Sequence, residues 1–394
     1  MPIYNRIAEF HDDMLAWRRD IHAHPETAFE EHRTAAFVAD KLASFGIEVH
    51  KGLAGTGVVG TLKKGDGPAI GLRADMDALH IHEANDCSHA SLNPGKMHAC
   101  GHDGHTAMLL GAARYLAETG RFTGTVHFIF QPAEEIEGGG RVMVEQGLFR
   151  QFPVDAVYGM HNWPGMTAGH FAVRSGPIMA AADTFEITIK GIGAHAAMPH
   201  RGIDPIVAAA ALVSALQTIT SRTVDPLDGA VVSVTQFHGG DTWNVIPEEV
   251  VLRGTARTFR AEVQDRVEAS MGRITEGVCQ AHGAIGDLHY QRRYPATVNS
   301  DAETEIAARA AAAVAGESGV ERDPAPSMGS EDFSFMLKEK PGCYIWLGNG
   351  PGDGGCMLHN PHYDFNDAIL LTGASYWVKL VETLQVAGGE APPE

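Results

Sequence analysis

Basic residues are scarce in this chain of 394 residues: 30 lysines and arginines face 49 aspartates and glutamates, a formal net charge of −19. A nucleic-acid binder needs a basic face to displace counterions, and an anionic membrane surface attracts the same kind of face. Both partner classes are therefore excluded. The shortage does not exclude a small anionic substrate, which one local arginine can hold. No apolar run approaches membrane-spanning length. The opening Met-Pro-Ile-Tyr-Asn-Arg has no apolar signal-peptide core, so a cytoplasmic location is expected. Cysteine is rare: Cys87, Cys100, Cys279, Cys343 and Cys356 are scattered and odd in number, which predicts reduced thiols rather than a disulfide framework. Internal repeats and low-complexity segments are absent.

What is present reads as an ordinary globular protein, 44% apolar and 20% charged, long enough for two domains or one large one. Histidine is plentiful at 21 residues, and imidazole is the commonest metal ligand among side chains. The chain is organised around Met97-His98-Ala99-Cys100-Gly101-His102-Asp103-Gly104-His105. This stretch packs a thiol, three imidazoles and a carboxylate between glycines that allow a tight backbone. Met108, Leu109, Ala112, Tyr115 and Leu116 follow at helical spacing, which puts the cluster on a loop entering a helix. A helix N-terminus lowers a thiol's pKa, so Cys100 is expected as a thiolate and, with His102, as a metal ligand.

The spacing predicts helices over Ile7–Ile21 and Glu30–Phe45, the second closed by Gly46. Strands are expected at Gly57–Leu62, Ala69–Ala74, Thr125–Phe130 and Ala156–Met160, with a short helix at Gly140–Gly147. Three strand-like runs end in residues suited to metal or proton chemistry: Asp75 and Asp77, Glu134 and Glu135, then His161. In open α/β sheets, sites assemble beyond the carboxyl ends of strands. Two adjacent carboxylates cannot point the same way in extended backbone, but a loop lets one coordinate a metal while the other holds a water beside it. Such a loop is placed here between an apolar strand and the triple glycine Gly138–Gly140.

The texture changes around Ile178–Asp183. Strands at Phe185–Lys190, Val231–Phe237, Val250–Phe259 and Asp287–Tyr294 alternate with helices from Asp204-Pro205 and over Glu262–His282. This β-α-β-β-α-β order is the ferredoxin-like pattern. It reads as an insertion, because α/β elements resume at Glu303–Ala315, Cys343–Leu347 and Ala368–Gln385. A frayed tail is expected over Gly388–Glu394.

Further strings complete a recognisable set: Arg73–Leu79, Met97–His105, Phe130–Glu135, Gly159-Met160-His161-Asn162, Gly193-Ala194-His195, Met198-Pro199-His200, Asn244-Val245-Ile246-Pro247, Gly329–Phe333 and His359–Asp367. Together they resemble the aminoacylase/carboxypeptidase family of dinuclear metallopeptidases, in its amidohydrolase branch of hippurate hydrolases, indole-acetyl-amino-acid hydrolases and N-acetyldiaminopimelate deacetylases. The resemblance runs from about Trp17 to Tyr376. It implies a zinc-peptidase-like α/β/α catalytic domain over 1–180 and 295–394, with a ferredoxin-like α+β lid and dimerisation domain inserted at 181–294.

The resemblance also implies two divalent ions per subunit, zinc or manganese, with cobalt or nickel as alternatives. Cys100 would bridge them, Glu135 and His359 completing one site and His102 and His161 the other. Glu134 would be general base and then acid, and Asp77 would orient a ligating histidine. His195 would donate to the oxyanion, and Asn244 and Arg257 would hold the substrate carboxylate. Asp75 stands where the wider family has a histidine ligand and is not assigned to metal. Asp103 and His105 are expected to support the loop. His80-Ile81-His82 departs from the branch, which has proline after Asp-Ala-Leu. His22, His24 and His32 are expected at the surface or at helix caps. The expected activity is hydrolysis of an N-acyl amino acid, a small-molecule substrate, by a homodimer or homotetramer joined through the lid domain. A di- or carboxypeptidase acting on short peptides and an inactive metal-binding scaffold are the alternatives.

Overall fold

A computed structural model describes residues 5–135, 137–351 and 356–386; the tail expected at Gly388–Glu394 lies outside them. The described chain forms two compact units, one from Met1–Ile178, Val298–Ala325 and Asp332–Glu394, the other from Met179–Thr297 and Pro326–Glu331.

The larger unit holds an eight-stranded mixed sheet. Its first five strands are β1 (Glu48–Leu53), β2 (Gly57–Lys64), β3 (Ala69–Asp75), β4 (Gly124–Gln131) and β5 (Ala156–Pro164). The spatial order is β1-β2-β4-β3-β5, followed by Gly342–Gly350, Phe171–Ala172 and Val320–Glu321. Four central strands, β4, β3, β5 and Gly342–Gly350, run parallel. Their alternate side chains enter two different interiors. Phe128, Phe130, Tyr158, Met160, Ile345 and Leu347 share one core with the helices, while Ile129, Val157, Tyr344 and Trp346 are buried on the opposite face. Covering both faces is what a parallel sheet requires, and it explains the near-continuous apolar runs.

The first predicted helix divides into α1 (Asn5–Ala8) and α2 (His11–Ala23). The second is α3 (His32–Ser44), closed as expected by Gly46 at φ +78°. The helix after the cysteine loop is α4 (His102–Glu118). Strand β5 runs past its predicted end through His161 to Pro164, because it keeps pairing with Gly342–Gly350.

The smaller unit is an antiparallel sheet in the order Ala230–His238, Glu249–Thr258, Ala181–Lys190, Ile285–Tyr294. Its helices are Pro205–Leu216 and Ala261–Ala281. Asp204 caps the first, accepting from the Ile206 and Val207 N–H groups, as its place before Pro205 predicts. One sequence expectation is corrected here. Continuous helical backbone over Pro205–Thr223 has the length and mean hydropathy, 1.2, of a membrane span. Its Ala208, Ala209, Leu212 and Leu216 are buried in the core of this unit, while Ile206 and Val207 are exposed.

Candidate metal centre

The parallel strands carry the site. Register pairs Asp75 with Gln131, and Arg73 with Gly159, so Asp75 and His161 stand at one level two residues on. The chain leaving β4 turns through Ala133, held at φ +54°, and delivers Glu134 and Glu135 to the same edge. Gly101 caps α4 at φ +94°, and no larger residue fits: a Cβ there would lie 2.2 Å from Asn162 Nδ2 and 2.7 Å from Tyr363 Oη. The His359 backbone is also left-handed, at φ +64°, and its N–H donates to the Ala99 carbonyl at 2.8 Å.

Candidate ligand atoms of Cys100, Glu135 and His359 lie within 4.8 Å of one another. So do those of His102, Glu134 and Glu135, and those of Asp75, His102, His105 and His161. Cys100 Sγ is 3.4 Å from His161 Nε2, and His359 Nε2 is 3.0 Å from Glu135 Oε1. The histidine tautomers follow from their neighbours. His102 Nδ1 contacts the Asp77 carbonyl at 2.8 Å, and a carbonyl only accepts, so Nδ1 carries the proton and Nε2 is left with its lone pair. His161 Nδ1 likewise donates to the Asn162 carbonyl at 2.6 Å, which frees its Nε2. His102 Nε2 is buried without a hydrogen-bond partner. An orphaned acceptor in a mixed thiol, imidazole and carboxylate set fits a late first-row divalent ion.

The carboxylates around the ligands have other duties. Asp77 Oδ1 lies 3.2 Å from His102 Nδ1, and Oδ2 accepts the Glu135 N–H at 3.0 Å. Asp75 accepts from His105 Nδ1 at 2.6 Å and from Arg73 Nη1 at 2.8 Å. His105 Nε2 in turn accepts the Asn162 N–H at 3.0 Å. Asp332 accepts from Arg73, Gln131 and the Gly140 N–H, which balances the buried guanidinium.

Two local expectations fail. In the protein alone, burial and the charges of Glu135, Glu134 and Asp75 push the Cys100 thiol well above its usual range, against the helix N-terminus argument. Bound cations would supply the opposite charge that a thiolate there needs. His22 is not at the surface: it is fully buried, its Nδ1 2.8 Å from Asp103 Oδ2 and its Nε2 3.1 Å from Glu83 Oε1. Burial opposes a proton on His22, but these two carboxylates raise it to about 9. The only sequence signal for this partnership was the proximity of Asp103 to the ligands. A further donor group, Cys87, His89 and Asp364, is also close-set, but Asp364 is already engaged by Arg18.

His195, Asn244 and Arg257 belong to the smaller unit. A two-stranded ladder pairs His195 with Val245 and brings Asn244 beside it, the Ala196 N–H donating to the Asn244 carbonyl at 2.9 Å. His195 is exposed, and its Nδ1 accepts the Ala197 N–H at 3.1 Å, so Nε2 carries a proton available for donation. Arg257 is half-buried, its Nη1 3.2 Å from Ser330 Oγ.

The profile of Peptidase family M20/M25/M40 matches residues 71–383. Hippurate hydrolase of Campylobacter jejuni is 40% identical over 381 residues, 96% of this chain and 98% of that one. N-acetylcysteine deacetylase of Bacillus subtilis is 40% identical over 375 residues, 94% and 96% of the two chains. A crystal structure from Bacillus subtilis, described as a dinuclear metal binding peptidase from the M20 family, superposes with a TM-score of 0.83 at 36% identity, covering 96% of this chain and 99% of that one.

Proposed function

Since the chain belongs to peptidase family M20/M25/M40, we propose that it is a metal-dependent amidohydrolase releasing a free amino acid and a carboxylic acid from N-acyl amino acids. The observation that carries this reading is the set of overlapping close donor groups that includes Cys100, His102, Glu135, His161 and His359, with His102 Nε2 buried and unpartnered. Cys100 would be shared by two ions, with Glu135 and His359 completing one ligand set and His102 and His161 the other. Such a pair of ions supplies Lewis acidity toward the amide carbonyl and acidifies a water.

The chain's own residues do the rest. Glu134, buried beside His102 and Glu135, takes the proton of the attacking water and returns it to the leaving amine. Asp77 holds His102 in the tautomer that presents Nε2. His195 donates Nε2–H to the oxyanion. Asn244 and Arg257 hold the substrate's free carboxylate, the guanidinium fork suiting a bidentate contact. We assign the smaller unit, corresponding to the inserted segment 181–294, as lid and dimerisation domain. A cytoplasmic site of action fits five cysteines that are all free.

The test is a hydrolysis screen of acetyl, benzoyl, indole-acetyl and long-chain acyl amino acids against dipeptides, with manganese, zinc, cobalt and nickel each supplied. At least one acyl amino acid should exceed every dipeptide in kcat/KM; the opposite order overturns the assignment. Glu134→Ala should lose about 10²–10⁴-fold in kcat while keeping its metal content. Unimpaired turnover in that variant removes Glu134 from the mechanism.

A further inference from the structure

Arg18, on α2, is fully buried, and its guanidinium meets three carboxylates. Nε lies 3.2 Å from Asp103 Oδ2 and 3.3 Å from Asp367 Oδ1, while Nη2 contacts Asp364 and donates to the Phe365 carbonyl at 2.8 Å. These partners come from two different stretches. Asp103 follows His102 in the first turn of α4, and Asp364, Phe365 and Asp367 follow His359.

The two stretches are packed with little slack. The Phe365 ring lies on Gly104, where an added Cβ would sit 2.3 Å from Cε2, and Tyr363 Oη donates to Asn162 Oδ1 at 2.6 Å. His22 braces the Asp103 end through its contacts with Asp103 and Glu83.

The His359 backbone is pinned by its N–H on the Ala99 carbonyl at 2.8 Å, and its Nε2 reaches Glu135 Oε1 at 3.0 Å. Its side chain is 52% exposed and its backbone occupies the left-handed region, which a non-glycine residue keeps only when its surroundings impose it. Cys100, His102 and His161 are at most 7% exposed and are held from several sides. Beyond these contacts, the segment that follows His359 is tied to Arg18, a buried charge that also meets Asp103 beside His102.

We infer that Arg18 is a positioning residue, clamping the His359 segment against the Cys100–His102 loop and so setting the affinity for the ion that Glu135 and His359 hold. The inference rests on the two-ion reading above. Three carboxylates at ion-pair distance from one buried guanidinium give the clamp its direction, with Nη2 hydrogen-bonding Asp364 and the Phe365 carbonyl.

The experiment is titration of the metal-free full-length protein with Mn²⁺ against a competing chelator, with thermal unfolding followed in parallel. Arg18→Lys should bind its first equivalent within about threefold of wild type and its second about 10–100-fold more weakly, the usual consequence of losing an outer support of a metal ligand. Saturating Mn²⁺ should then return kcat toward wild type with KM unchanged. Asp364→Asn, which alters a carboxylate 39% exposed, should weaken the second equivalent about tenfold. A second equivalent of wild-type affinity in Arg18→Lys overturns the inference. So does equal weakening of both equivalents, or a kcat that saturating metal does not restore. Should Arg18→Lys fail to fold, Asp364→Asn decides by the same criteria. A wild type binding fewer than two equivalents also overturns it. One that binds two but hydrolyses no N-acyl amino acid sinks the proposed activity and leaves the clamp standing.

Discussion

At the scale of single residues, the candidate centre depends on side chains whose spare capacity has been used up elsewhere. Four histidines have their tautomers assigned by one neighbour each. Asp77 fixes His102, the Asn162 carbonyl fixes His161 and the Asn162 N–H fixes His105; in the smaller unit, separately, the Ala197 N–H fixes His195. Gly101 has an equally narrow role. A side chain at φ +94° costs about 1–2 kcal/mol, and overpacking a filled site typically adds 1–3. Gly101→Ala should therefore lose about 3 kcal/mol in urea unfolding and, because Asn162 and Tyr363 must move, lose metal as well. A variant with native stability and metal content would show that the cap is not packed as described.

At the scale of elements, parallel strands put chemistry at one edge and stability along their length. His127 lies in β4, away from that edge, opposite Thr61, whose hydroxyl is 3.0 Å from His127 Nδ1. Burial lowers its pKa from 6.5 to about 4. The unfolded chain therefore takes up this proton as pH falls through 6.5, while the folded chain resists it until about 4. The sign follows: the contribution is whole above 6.5 and is lost progressively as pH drops through that window. At about 1.4 kcal/mol per pKa unit, the full effect is about 3 kcal/mol. His127→Gln should remove most of it. Comparing urea midpoints of the two proteins at pH 7 and pH 4.5 measures this, and identical pH dependence would contradict it.

At the scale of the whole molecule, the smaller unit presents apolar surface beyond what its own core uses. Ile206 and Val207 are exposed on its first helix, and Phe237 is 43% exposed on the edge strand Ala230–His238. An open strand edge beside an apolar helix face suits pairing with a second copy. Wild-type protein should sediment as a dimer or larger at micromolar concentration. Val207→Lys together with Phe237→Lys should shift it toward monomer with metal content unchanged. A monomeric wild type would refute the assignment of this unit as a dimerisation domain.

Much of this was legible in the primary structure, because some rules act within a few residues. Asp204 before Pro205, Gly46 after α3 and the alternation of the smaller unit's strands all report backbone preferences and burial periodicity, which neighbouring residues determine. Donor chemistry is legible for the same reason: Cys100, His102, Glu135, His161 and His359 carry lone pairs wherever they lie. What only the tertiary structure decided are quantities that act through space. The Cys100 thiol was expected low from its helix and stands high, because carboxylates from β3 and from the turn after β4 surround it in a buried setting. His22 was expected at the surface or at a helix cap and is fully buried, where Asp103 and Glu83 reach it across 81 and 61 residues of chain. Coulomb energy and desolvation depend on distance and burial, and neither is a property of position along the chain.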